Sequence, residues 1–88
     1  MPISNNPITQ ATPLTALLSN AQSEVKNLLT GEEFIVRDLF LGYEWKRIDK
    51  GNRTRLGSLF FAFAQSEGLA ELAILGKTPQ NQQIYRKR

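Results

Sequence analysis

Arg53, Thr54, Arg55 and Ser58 fall within six residues of one another at the start of an amphipathic run, and each carries a hydrogen-bond donor. Arginine can bond bidentately to the paired acceptors of guanine, and hydroxyls serve either a base edge or a phosphate. Asn52 precedes them, where helix N–H groups favour an anion. Lys46, Arg47 and Lys50 stand just upstream as candidate phosphate holders. A second group, Lys77, Gln80, Asn81 and Gln82, supplies donors without acidic neighbours around a turn, and Arg86-Lys87-Arg88 closes the chain. The chemistry shared by these three groups is recognition of the phosphates and base edges of nucleic acid. Each has a plain alternative: a solvated helix start, a polar turn and a frayed tail. Against the first, cations in a first helical turn oppose the helix dipole at a cost of a few tenths of a kcal/mol.

Other chemistries lack their residues. The chain has no Cys and no His, which removes disulfides, thiolate metal sites and the commonest general base. The carboxylates are scattered, and Glu32 and Glu33 point to opposite sides of an extended segment. Gly76-Lys77-Thr78 has the ending of a phosphate loop, but the first Gly is missing and Pro79 follows instead of a helix. We therefore expect a non-enzyme with no metal and no cofactor. The N-terminus lacks a signal-peptide pattern and no apolar run approaches the ~18 residues of a membrane span, so the expectation is a cytoplasmic protein with no membrane partner.

Charge is polarised along the 88 residues. Residues 1–45 carry two basic and five acidic side chains, a net of −3, and residues 46–88 carry nine and three, a net of +6. A basic half of this kind attracts phosphate backbones.

The elements that must position these groups can be read from period and punctuation. Residues 1–11 hold two prolines and no periodicity, which predicts a mobile arm. Thr12-Pro13 predicts a helix start, and Leu14, Leu17, Leu18, Ala21, Val25 and Leu28 continue as one apolar stripe to Thr30-Gly31. That stripe either packs on its own domain or pairs with a second copy, giving a possible homodimer. Glu32–Val36 reads as extended, Arg37–Leu41 as a short helix closed by Gly42, and Tyr43–Ile48 as one or two helical turns. Asp49-Lys50-Gly51 reads as a turn, and Asn52 as the cap of a main helix from Arg53 to about Ser66. Leu56, Leu59, Phe60, Phe63 and Ala64 form its buried face, and the aromatics, Tyr43 and Trp45 included, read as core. Leu69–Leu75 and Gln83–Arg86 are strand-like runs that pair as a hairpin across Gly76–Asn81.

This order predicts a mainly α fold with a C-terminal β-hairpin. It is winged helix-turn-helix-like over residues 31–88, preceded by an arm (1–11) and an extra N-terminal amphipathic helix (12–30). In that arrangement the helix from Arg53 enters the major groove of double-stranded DNA and the hairpin tip acts as the wing. The expected function is a small bacterial or mobile-element regulator or accessory factor. The rival is a protein-interaction module working through the Leu14–Leu29 stripe. Recognition of RNA or single strands ranks lower, because stacking would need exposed aromatics.

Between Glu33 and Tyr85 the chain carries Phe34-x-Val36-x-Asp38-Leu39-Phe40, Gly42-Tyr43-Glu44-Trp45, Lys50-Gly51-x-Arg53, Leu56-Gly57-x-Leu59-Phe60, Gly76-Lys77 and Tyr85. This pattern resembles a small bacterial domain family of unknown function. The resemblance implies a shared, winged-helix-like fold and brings no activity with it. The first 30 residues lie outside the pattern, which implies that the N-terminal helix is this chain's own addition.

Overall fold

The computed structural model describes residues 8–88; the first seven positions of the expected arm lie outside the described residues. In chain order the elements are α1 (Leu14–Val25), β1 (Glu33–Phe34), a 3-10 turn at Val36–Leu39, α2 (Gly42–Arg47), α3 (Lys50–Gln65), β2 (Leu72–Lys77) and β3 (Gln83–Lys87). The strands form one antiparallel sheet in the order β1-β3-β2. The fold is thus mixed α/β, not mainly α with a lone hairpin. The short segment at Glu33–Phe34 closes the sheet by pairing with Arg86 and Tyr85 of β3. The backbone pairing continues past β1, where Gly31 N–H donates to the Lys87 carbonyl (2.7 Å) and Lys87 N–H donates to that of Glu32 (2.9 Å). Gly31 makes this approach with φ +93°, a conformation that a β-carbon disfavours.

α1 is shorter than its sequence pattern. It begins with Pro13 at the N-cap, with no side-chain cap bond, and stops at Val25. The Thr12 hydroxyl instead accepts from the N–H of Thr9 (2.8 Å). Leu28 therefore sits in the following turn and Leu29 is exposed. The apolar stripe is taken up by the chain's own core. Leu17, Ala21 and Val25 are fully buried against α3 and the 3-10 turn, and Leu14, Leu18 and Leu28 pack on the core's edge. Burial of each large side chain of this kind contributes about 1.5–3 kcal/mol.

The described end of the expected arm packs on the fold. Ile8 is buried, and its backbone is held by α2: Arg47 Nη1 donates to the Ile8 carbonyl (2.8 Å) and Ile8 N–H reaches Glu44 Oε2 (3.5 Å). Gly42 opens α2 and does not close the preceding turn. That turn is capped by Asp38, whose carboxylate accepts from Ile35 N–H (3.0 Å).

The core is completed by Phe34, Phe60 and Tyr85, in mutual ring contact at 5.1–6.3 Å between centroids, with Phe63 beside Phe60. Gly68 follows α3 because a β-carbon there would lie 2.8 Å from the Phe63 ring. β2 starts at Leu72, three residues later than the apolar run suggests, since Ser66–Glu71 is spent on reversing the chain. Two of the residues placed in the core by spacing are instead exposed: Tyr43 at 58% and Leu59 at 39%.

Candidate nucleic-acid interface

Asp49, not Asn52, caps α3. Its carboxylate accepts from Asn52 N–H (3.2 Å), which makes Lys50 and Gly51 the first helical turn and Asn52 its third residue. Asp is among the preferred N-caps, so the signal was present, but Lys50-Gly51 after it reads as turn chemistry. The consequence is that Lys50 sits at the helix start, with only Ile48 and Asp49 between it and the end of α2 at Arg47.

Five cations, Lys46, Arg47, Lys50, Arg53 and Arg55, are thereby gathered on the α2–α3 junction, with a single carboxylate among them that is used as the cap. They are not equivalent. Arg53 does not project from the helix: its Nε donates to the Ile48 carbonyl (2.9 Å) and its guanidinium lies 5.5 Å over the Trp45 ring. It clamps α2 to α3. Trp45 is half-buried between Arg53 and Phe40, 5.5 Å from the latter's ring. Arg47 stacks over Tyr43 (5.0 Å) while bonding Ile8. Lys46, Lys50 and Arg55 are exposed and make no side-chain bond among the described residues.

Along α3, one side faces inward through Leu56, Phe60 and Ala64. The outer side presents Lys50, Gly51, Thr54, Arg55, Ser58, Leu59 and Ala62, all exposed. Thr54 returns its hydroxyl to the Lys50 carbonyl (3.2 Å). No acidic residue lies anywhere in α3. Thr54, Arg55 and Ser58 therefore share an exposed face, joined by Gly51, Leu59 and Ala62, which sequence reasoning had not placed there. Leu59 follows Leu56 by three, which put it with the core, but the inward face advances in steps of four.

The hairpin tip is a tight turn. Asn81 N–H donates to the Thr78 carbonyl (2.8 Å), Gln82 N–H to the Thr78 hydroxyl (3.1 Å), and Asn81 takes φ +65°. Lys77, Gln80, Asn81 and Gln82 are exposed there. Next to the tip the hairpin carries a bulge between Ile74 and Lys77, and the Gln83 amide donates to the carbonyls of Leu75 and Gly76. That side chain closes the gap the bulge opens in the ladder.

The terminal cluster is not a free cationic tail. Arg86 pairs with Glu33 (3.2 Å), Lys87 with Glu71 (3.3 Å), and Arg88 Nε donates to the Leu72 carbonyl (3.1 Å). All three belong to the sheet and its edges. Their partners are 16 to 53 residues away in sequence, a separation that local pattern reading does not reach. The six candidate interaction residues of the N-terminal stripe are likewise packed into or against the core.

Among the described residues no group of acidic side chains could hold a metal ion, and no helix is long and apolar enough to cross a membrane. A shallow, open depression is lined by Thr9, Gln10, Ala11 and Arg47.

Neither the curated proteins nor the solved structures include a match to this chain. A family model does match, over residues 19–87, which is wider than the 33–85 pattern and begins inside α1, so the second half of that helix is shared family structure and not a private addition. The chain belongs to the family described as a domain of unknown function (DUF1413).

Proposed function

We propose that this protein is a non-catalytic binder of double-stranded DNA, a small regulator or accessory factor built as a winged helix-turn-helix. The observation that carries the reading is the α2–α3 junction: Lys46, Arg47, Lys50 and Arg55 beside an α3 face that holds no carboxylate. The carboxylates nearby are engaged in the fold, Asp49 as a cap and Glu44 on the Ile8 backbone. Among the described residues no carboxylate pairs with the positive charge at the junction, and a phosphate backbone is the polyanion that fits such a surface.

The element order supports the reading. A helix, a strand, two helices meeting at a tight turn, and a hairpin whose last strand is central in a three-stranded sheet is the layout of a winged helix. In it α3 lies in the major groove and the Thr78–Gln82 turn is the wing. Thr54, Arg55 and Ser58 face the base edges, Lys46 and Lys50 hold phosphates, and Lys77 with Gln80 to Gln82 contacts the flanking backbone. Arg53 is the clamp that fixes the angle between α2 and α3. The competing reading, an interaction module working through Leu14–Leu29, has less support, since Leu17, Ala21 and Val25 are packed in the core and Leu29 alone of the stripe stands exposed.

Lys50→Ala tests the assignment against Arg86→Ala, a cation of equal charge already paired with Glu33. Binding to a random-sequence duplex, followed by fluorescence anisotropy across a salt series, should weaken for Lys50→Ala. The slope of log affinity against log salt should fall by about 1. Arg86→Ala should leave that slope unchanged. Equal effects from both variants, or no binding by the parent protein, would remove the junction as the interface.

A further inference from the structure

The outer face of α3 is chemically divided. Its first half presents Lys50, Thr54, Arg55 and Ser58; its second presents Leu59 and Ala62, both exposed and outside the group that packs on the core. Leu59 keeps 39% of its surface open on a helix whose inward face is already filled by Leu56, Phe60 and Ala64. Arg55, Leu59 and Ala62 follow at steps of four and three residues, so they lie on one line along the helix. At 1.5 Å per residue the line runs about 10 Å, roughly the rise of three base pairs.

The two halves match two different features of the major groove. Guanine offers N7 and O6 to a bidentate arginine, and thymine alone offers a methyl group to an apolar side chain. Charge complementarity fixes the occupant as a polyanion, and the apolar half has a use only where that polyanion also displays methyl groups. Among nucleic acids this is DNA, since RNA carries uracil in place of thymine.

Building on the DNA reading above, we infer that α3 selects its site by two contacts: Arg55 on a guanine, and Leu59 with Ala62 on thymine methyls within about three base pairs of it. Leu59 and Ala62 are thereby specificity-determining residues, and the protein prefers DNA in which a G·C pair stands beside a thymine-bearing step.

The test is a duplex in which every thymine is replaced by deoxyuridine, which keeps base pairing and charge and removes only the methyls. A duplex enriched from a random pool by the parent protein serves as the probe, in its thymine and deoxyuridine forms. The parent protein should bind the deoxyuridine form about fourfold more weakly for each methyl contacted. Leu59→Ala, whose fold is checked by circular dichroism, should discriminate between the two forms less than the parent protein does, and Arg55→Ala should lose about tenfold or more on either form. Equal binding of both duplexes by the parent protein would overturn the thymine contacts while leaving DNA binding intact. Absence of binding to any duplex at low salt would overturn this inference together with the reading on which it rests.

Discussion

Tyr85 is the residue at which the fold meets its least comfortable requirement. Its ring stacks on Phe34 and lies edge-on to Phe60, fully buried, and its hydroxyl finds no hydrogen-bond partner among the described residues. A buried unsatisfied hydroxyl costs about 1–3 kcal/mol, so Tyr85→Phe should raise stability by ~1 kcal/mol at neutral pH, measured by urea denaturation. Burial also pushes the phenol up from 10.0 to about 12, because the phenolate is the form that burial penalises. The folded state therefore holds this proton more tightly than the unfolded chain. Stability from this group is complete below pH 10 and drains away as pH rises towards 12, by about 2–3 kcal/mol in all. Tyr85→Phe should lack that alkaline component, and parallel denaturation curves at neutral and alkaline pH would show it. At the same scale, the site residues divide into those that project (Lys46, Lys50, Arg55) and one that braces (Arg53), a distinction of side-chain direction that residue type alone does not carry.

Among the elements, α3 does most to join fold and site, and its sequence is poorly suited to a helix at one point. Gly57 sits in its interior, and a β-carbon added there would meet nothing within 4 Å outside the helix's own nearby backbone. No neighbouring element requires the glycine. Gly57→Ala should therefore stabilise the protein by about 0.5–1 kcal/mol, seen as a higher thermal midpoint, with the fold unchanged. The helices and the hairpin were legible from period and turn chemistry because their signals are local: four-residue steps in α3, Thr78-Pro79 and Asn81 at the tip. What stayed hidden was set by distant partners. β1 falls inside the segment read as extended, but its two residues and their pairing are set by β3, about fifty residues away. Ile8 is one apolar residue in an aperiodic segment, and it joins the core with its backbone held by α2. Arg86 and Lys87 look like a tail until Glu33 and Glu71 are brought to them by the sheet.

For the whole molecule, the polarity of charge along the sequence is partly folded away and partly concentrated. Two of the nine basic residues of the second half are neutralised across the sheet, while the α2–α3 junction and the hairpin keep Lys46, Lys50, Arg55 and Lys77 exposed and unpaired among the described residues. A net +3 protein thus presents its excess charge where α3 begins and the hairpin ends. With Arg55 on a base edge, binding to DNA through Lys46, Lys50 and Lys77 would release about three counterions, which sets how strongly affinity depends on salt. The most direct measurement is anisotropy of a labelled random-sequence duplex titrated with the protein at about 50 and about 200 mM salt. Three phosphate contacts predict affinity about 40-fold weaker at the higher concentration. Binding that is absent at the lower salt, or indifferent to the change, would contradict the assignment of this surface to DNA.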